Sequence, residues 1–200
     1  MTHPDRLVVK VGGSLYDHPK LKDGLKAWLA ARPEKFLRVV PGGGEFAEAV
    51  RRLDTVHGLG EKAAHRIAMI ALRPASAFVA DILGVERWAG TDKRWWTESG
   101  TVVIQHENFE TCYWFEHPQS LPQTWEFTTD SLAACAAHDA GCGLVLLKSL
   151  DIPPAMTWEQ AADRGYVDAY FPTLVARHDL RVTAVNFRAV LDAFPASGGA

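Results

Sequence analysis

Two short apolar runs, each closed by glycines and followed by a helical segment, constrain the fold of this chain most strongly. Residues 7–11 (LVVKV) run into two glycines, and residues 36–40 (FLRVV) run into a proline and three glycines. Helical segments follow: residues 22–31 after the first turn, and a stretch with apolar residues at spacings of three and four after the second. Strand, tight turn and helix, repeated in that order, are typical of a parallel α/β sheet.

The rest of the chain extends the same pattern. A helical stretch covers residues 61–83, and Pro74 is expected to kink or divide it. The later predicted elements are a strand at 101–104, a helix at 130–140 that Gly141 ends, a strand at 144–148, a strand at 181–185, and short helices at 158–163 and 187–194. We therefore expect a three-layer α/β sandwich with an open, mainly parallel sheet, in which residues 1–200 form a single domain.

Composition excludes several classes of protein. The chain has 200 residues, of which 48% are hydrophobic, and its formal net charge is −3, so no global basic field would attract nucleic acid or an anionic membrane. Its three cysteines form no CxxC pair, which favours a reducing compartment. No secretory leader and no apolar run of about 18 residues is evident. We expect a cytoplasmic protein that binds neither nucleic acid nor membrane.

Residues suited to binding phosphate lie where the predicted strands end. Ligands of open α/β sheets bind outside the carboxyl ends of the strands, and consecutive glycines let backbone N–H groups approach an anion closely. Each residue alone has a plain structural reading as a turn, a helix cap or a solvated strand end. Together they predict a site for two phosphate groups. The residues are Lys10, Gly12, Gly13 and Ser14 at the first strand, Gly42, Gly43 and Gly44 at the second, Asp130 at a helix start, and Lys148 at a later strand end.

Other clusters carry less chemistry. His106, Glu107, Glu110, Glu116 and His117 lie close together, but their spacing matches no standard metal site, so we predict none. The aromatic residues between positions 88 and 115, which include Trp95 and Trp96, are interpreted as core or lid packing.

Four segments resemble, in order, the motifs of the amino acid kinase superfamily. They are residues 8–14 (VVKVGGS), 39–44 (VVPGGG), 128–134 (TTDSLAA) and 146–151 (LLKSLD). The resemblance implies a three-layer fold with an open, mainly parallel sheet. It also implies that the protein is an ATP-dependent kinase that uses Mg²⁺ and assembles as a homodimer or larger homo-oligomer.

The resemblance also implies roles for the matching residues. Lys10, with Gly12, Gly13 and Ser14, would hold the transferring phosphoryl group, and Gly42, Gly43 and Gly44 would cradle the acceptor. Asp130 would orient the lysines, while Lys148 and Asp151 would lie at the nucleotide phosphates. Phosphoryl transfer depends mainly on positioning and charge stabilisation, which fits these residue types.

The chain departs from the superfamily pattern after Lys148. The usual Val-Asp-Gly is replaced by Leu150-Asp151-Ile152, and no second lysine follows, so the nucleotide-binding half is abbreviated. Lys148 could serve both roles, an arginine such as Arg73 or Arg94 could help, or ATP could bind in an unusual way.

Within the superfamily, the chain looks closest to the (5-(aminomethyl)furan-3-yl)methyl phosphate kinases of methanofuran biosynthesis. Such an enzyme phosphorylates a small phosphomonoester and makes a diphosphate. An amine on the acceptor would need a carboxylate such as Glu45 or Asp92, or an aromatic face. Two alternatives stay open: a kinase of a small carboxylate or amino acid that makes an acyl phosphate, and a non-catalytic protein of the same fold that binds nucleotide or oxyanion.

Overall fold

The computed structural model describes residues 3–88, 98–105 and 121–195. Within these ranges, the strands are β1 (Arg6–Val11), β2 (Phe36–Pro41), β3 (Arg87–Trp88), β4 (Gly100–Ile104), β5 (Gly143–Lys148) and β6 (Val182–Asn186). The α-helices are α1 (Leu21–Ala30), α2 (Gly44–His57), α3 (Glu61–Leu83), α4 (Thr129–Ala140), α5 (Trp158–Asp163), α6 (Phe171–Arg177) and α7 (Phe187–Ala193), and a short 3-10 helix covers Gly13–Leu15.

The six strands form one parallel sheet in the order β3-β4-β2-β1-β5-β6. The register pairs Lys10 with Val40 on one side and with Leu146 on the other, so the carboxyl ends of β1, β2 and β5 come to one edge of the sheet. This arrangement confirms the open parallel sheet that the strand, turn and helix pattern predicts.

Helices cover both faces of the sheet, which gives the three layers that we expected. Leu7, Val9 and Val11 of β1 point into a core shared with α1, α7 and the second half of α3. Val8, between them in sequence, points into the other core, which α4, α5 and α6 cover. Alternate residues of a strand face opposite sides of a sheet, so a strand buried on both faces is apolar throughout. None of the helices in the described ranges combines the length and the apolar character that a membrane span requires.

Helix α3 is a single helix of 23 residues that continues through Pro74, so the expectation that this proline would divide it is wrong. Burial on both sides of the proline explains the continuity: Leu72, Ala75 and Val79 are all buried. The Ser76 hydroxyl also donates hydrogen bonds to the carbonyl oxygens of Leu72 and Ile104, which fastens the helix to the end of β4. Tertiary packing therefore outweighs the local cost of the proline.

Arg38 is buried in the middle of β2, although its charge interrupts an otherwise apolar run. Its guanidinium donates to the carbonyl oxygen of Leu37 in β2 and to those of Glu98 and Gly100, at or just before the start of β4. Burial lowers the pKa of Arg38 to about 10, so the side chain keeps its charge at neutral pH. The buried charge is tolerated because backbone carbonyls solvate it.

The two glycine turns pack directly against each other. A Cβ atom on Gly13 would lie 2.1 Å from the backbone nitrogen of Gly44, and one on Gly42 would lie 2.4 Å from the nitrogen of Gly13. Gly44 also has a φ of +51°, a conformation that residues with side chains rarely adopt. The close contact between β1 and β2 at their carboxyl ends therefore requires glycine on both sides.

Replacing Gly13 by alanine should destabilise the fold, because the new methyl group would meet backbone atoms that cannot rotate away. Overpacking of this kind costs about 1–3 kcal/mol. The free energy of unfolding in urea measures the effect. Gly143→Ala is the matched control, since the atom nearest to its Cβ would be the carbonyl oxygen of Arg181, at 3.6 Å. Equal stability of the two variants would contradict the packing argument.

Candidate functional site

Two buried lysines and one buried aspartate meet at the carboxyl edge of the sheet. Lys10 and Lys148 come from the neighbouring strands β1 and β5, and Asp130 lies in the first turn of α4. The Asp130 Oδ1 atom is 2.9 Å from the Lys10 Nζ atom, and its Oδ2 atom is 2.8 Å from the Lys148 Nζ atom. The relative exposures of Lys10, Asp130 and Lys148 are 5%, 5% and 8%. We call these three residues the triad.

The triad carries two positive charges and one negative charge away from bulk water. Burial would raise the pKa of the Asp130 carboxyl, but the two ammonium groups outweigh it and lower that pKa to about 2. Burial lowers the pKa of Lys148 to about 8; Asp130 opposes this shift, and Lys10 adds to it. One carboxylate thus serves two cations and leaves them partly uncompensated, which suits the site to an anion.

A cleft of about 650 Å³ opens beside the triad. Lys10 lines it, together with the turn residues Gly13, Ser14, Gly43 and Gly44. Gly12 and Gly42 do not line it, and their N–H groups donate to the carbonyl oxygens of Leu147 and Val11, which continues the sheet. The structure therefore brings only part of each predicted phosphate-binding turn to the cleft.

The far wall of the cleft comes from α2, α3 and the segment before α4. It presents the apolar side chains of Met69, Leu72 and Phe127, with Trp125 beside them. The guanidinium of Arg51 lies 4.2 Å from the centre of the Trp125 ring, a cation–π contact that fixes this wall.

Other predicted site residues lie elsewhere. Asp130 and Lys148 do not line the cleft. Asp130 contacts Lys10, which does line it, and Lys148 contacts Asp130. Asp151 is exposed on the segment after β5, where its carboxylate accepts a hydrogen bond of 3.0 Å from Asn186. Arg73 is exposed on α3 and does not line the cleft. Among the described residues, no group of three or more His, Cys, Asp or Glu side chains could hold a metal ion.

Several sequence-level interpretations lie outside the described residues. These are the possible metal ligands His106, Glu107, Glu110, Glu116 and His117, the candidate helpers Asp92 and Arg94, and the aromatic pair Trp95 and Trp96.

Asp168 fastens the helix that carries Asp130, and sequence reasoning missed it. Its carboxylate accepts hydrogen bonds from the backbone nitrogens of Thr128, Ser131 and Phe171 and from the hydroxyl groups of Thr128 and Ser131. The N-cap residue Thr128 makes no side-chain capping bond of its own, so a distant carboxylate takes that role. Burial, and the nearby Asp130 charge, raise the pKa of Asp168. Nothing local in the sequence marks this aspartate as a partner of α4, because Ser131 and Thr128 are 37 and 40 residues away.

Arg188 also lines the cleft, and the sequence analysis did not single it out. It follows β6, and the strand-end rule that singled out Lys10 and Lys148 could have found it.

The uridylate kinase of Archaeoglobus fulgidus has a similar structure. The two match with a TM-score of 0.62 and 14% identity over 94% of this chain and 96% of that one. The chain has the amino acid kinase fold. A similarity in sequence extends over a shorter stretch: 63 residues are 38% identical to the (5-(aminomethyl)furan-3-yl)methyl phosphate kinase of Methanocaldococcus jannaschii. That stretch covers 31% of this chain and 29% of the relative. No family model matches the chain.

Within this amino acid kinase fold, the charges of the triad can be tested by titrating Lys148. Carbon-13 NMR of labelled lysine side chains should give Lys148 a pKa of about 8. Asp130→Asn should lower that pKa further, because it removes the negative charge that favours the ammonium form. Lys10→Met should raise it, because it removes a neighbouring positive charge. Shifts of the opposite sign would contradict the arrangement of charges.

Because Asp168 accepts hydrogen bonds that fasten α4, replacing it should lower the free energy of unfolding. Asp168→Asn replaces one acceptor oxygen by a donor amide that would face the N–H and hydroxyl groups of Thr128 and Ser131. Leaving such buried groups unpaired costs about 1–3 kcal/mol, measurable by urea unfolding. Asp163→Asn, an exposed change on α5, is the matched control. If both variants unfold alike, Asp168 does not fasten α4.

Proposed function

We propose that this chain is an ATP-dependent kinase that transfers the γ-phosphoryl group of ATP to a small phosphomonoester. The observation that carries the proposal is the triad Lys10, Asp130 and Lys148, buried beside a cleft that two glycine turns help to line. Phosphoryl transfer needs positioned cations more than it needs covalent chemistry, and the triad provides them. The kinase activities named for the two similar proteins support the same class of reaction.

The proposed roles follow from where each group lies. Lys10 lines the cleft and would contact the phosphoryl group during transfer. Asp130 would hold both lysines in position, and Lys148 would add a second buried positive charge beside Asp130. The first N–H groups of the 3-10 helix Gly13–Leu15 and of α2 have no partner within their helices, so they could donate to phosphate oxygens.

The reaction balances without a general base. An oxygen of the acceptor phosphate, already an anion at neutral pH, would attack the γ-phosphorus, and the bond from that phosphorus to the bridging oxygen of ADP would break. ADP would leave with the electron pair. Mg²⁺ would enter with ATP as part of the substrate and bridge its phosphates. The main obstacle would be repulsion between two anions, which the lysines and N–H groups would offset.

We propose (5-(aminomethyl)furan-3-yl)methyl phosphate as the leading acceptor, which would place the enzyme in methanofuran biosynthesis. The name of the Methanocaldococcus jannaschii relative supports this choice, although the matched stretch spans 29% of that protein. The cleft wall also suits a small aromatic amine. Phe127 and Trp125 line it with Met69, and Glu45 offers a carboxylate to an ammonium group.

We further propose that residues 1–200 act as one domain with an abbreviated nucleotide-binding half. In the described part of the chain, β6 and three helices of six or seven residues follow Lys148. Assembly as a homo-oligomer is part of the same proposal, and exposed apolar side chains on α2 and α3 support it, namely Leu53, Val56 and Ile70.

The function is tested by phosphorus NMR of the protein with MgATP and a panel of small phosphomonoesters, the furan phosphate among them. A coupled pair of diphosphate resonances that grows together with ADP would support the proposal. An acyl phosphate that hydroxylamine traps would indicate a carboxylate kinase instead. Saturable ATP binding without ADP formation would indicate a non-catalytic binding protein.

Lys10→Ala should reduce turnover roughly 100- to 1,000-fold, the usual loss when one preorganised charge at a reacting centre is removed. The fold should persist, because Asp130 keeps its contact with Lys148. Steady-state kinetics measures the loss, and circular dichroism checks the fold. Lys22→Ala, an exposed change on α1, provides the control. Comparable turnover in both variants would remove Lys10 from the reaction.

A further inference from the structure

Arg188 lies at the start of α7, immediately beyond the carboxyl end of β6. It lines the same cleft as Lys10, Gly13 and Ser14. Because β6 pairs with β5, Arg188 lies one strand farther along the sheet than Lys148. The sheet thus carries cationic side chains at the ends of β1, β5 and β6, all at one edge.

The guanidinium of Arg188 is held from one side. Its Nη2 atom donates to the carbonyl oxygen of Ser14 at 2.5 Å and to the Oδ1 atom of Asp17 at 2.6 Å. Its Nε and Nη1 atoms donate no hydrogen bond to any other residue in the described part of the chain. The side chain is 34% exposed, so these donors remain accessible. A guanidinium that is fixed through one nitrogen can donate hydrogen bonds from its other two nitrogens to an anion.

The segment that holds Arg188 is itself well anchored. The Asn186 side chain accepts a hydrogen bond from the backbone nitrogen of Ala189, which caps α7, and its amide donates to Asp151. The Ser14 hydroxyl lies 2.8 Å from that of Ser149. The turn after β1, the segment after β5 and the start of α7 are therefore joined by direct hydrogen bonds around Arg188.

The charged side chains in and beside the cleft explain why Arg188 suits an anion. The triad has a net charge of about +1, since one carboxylate faces two ammonium groups. Arg51 also lines the cleft, but its Nε atom donates to Glu48 and its guanidinium covers the Trp125 ring. Of the cations that line the cleft in the described ranges, Arg188 is the one in contact with the turn after β1.

We propose that Arg188 binds the β- and γ-phosphates of the nucleotide from the β6 side of the cleft. This inference rests on the proposed function. It gives the abbreviated nucleotide half a cation in place of the second lysine that the sequence lacks after residue 148. The carbonyl oxygen of Ser14 holds the guanidinium in place, and the unused Nε and Nη1 donors meet phosphate oxygens.

The test is calorimetric binding of MgATP and of AMP to the wild-type protein and to four variants. Arg188→Gln should weaken MgATP binding about 10- to 100-fold, the usual effect of losing a hydrogen bond to a charged group. AMP binding should change little, because AMP has no β- or γ-phosphate. Arg188→Lys should recover part of the affinity. Arg177→Gln, an exposed arginine on α6, should bind MgATP as the wild-type protein does.

The Asp17→Asn variant distinguishes a role of Arg188 in nucleotide binding from a purely structural role. This variant breaks the ion pair but keeps the guanidinium, so MgATP affinity should stay within about threefold of the wild-type value, far from the Arg188→Gln loss. If Arg188 only ties α7 to the turn after β1, both variants should lower the melting temperature, Arg188→Gln by more because it also loses the bond to Ser14, and both should leave MgATP affinity unchanged.

The outcomes distinguish this inference from the function on which it rests. Wild-type protein that binds and consumes MgATP, together with an Arg188→Gln variant of equal affinity, would overturn the role of Arg188 and leave the kinase proposal standing. Wild-type protein that binds no MgATP would overturn both.

Discussion

The carboxylate of Asp130 is the interaction on which the site depends. Lys10 and Lys148 extend from neighbouring strands onto the same face of the sheet, and without a negative charge between them two buried ammonium groups would repel each other. Helix α4 brings that charge to the sheet edge, and Asp168 fastens the start of the helix. The geometry of the triad is therefore a property of the sheet, α4 and the segment before α6 acting together.

This arrangement leaves the site with more positive charge than one carboxylate can compensate. Burial lowers the pKa of Lys148 to about 8 in spite of its direct contact with Asp130. A bound anion would favour the charged form of the lysine and so relieve that cost. The lowered pKa of Lys148 and the suitability of the site for an anion are thus two consequences of the same three side chains.

Packing accounts for glycines in the two turns independently of the phosphate binding that the sequence analysis predicts. Sequence reasoning explained all of their glycines by close approach to phosphate. The structure shows that Gly13 and Gly42 must lack side chains because the two turns touch each other. The two explanations are compatible, since the contact that excludes side chains also brings the starts of two helices to one cleft, where their N–H groups could meet an anion.

The sequence by itself determined the parallel sheet, its glycine turns and the positions of Lys10, Asp130 and Lys148. Each of these is encoded locally, in an apolar run, a turn or the residue at a strand end. Only the tertiary structure decided that α3 continues through Pro74, and that Asp168 and Arg188 serve the same edge of the sheet. These contacts join segments tens to more than a hundred residues apart. The strand-end rule could have pointed to Arg188, but packing of the whole chain decides which residues Asp168 and Arg188 contact.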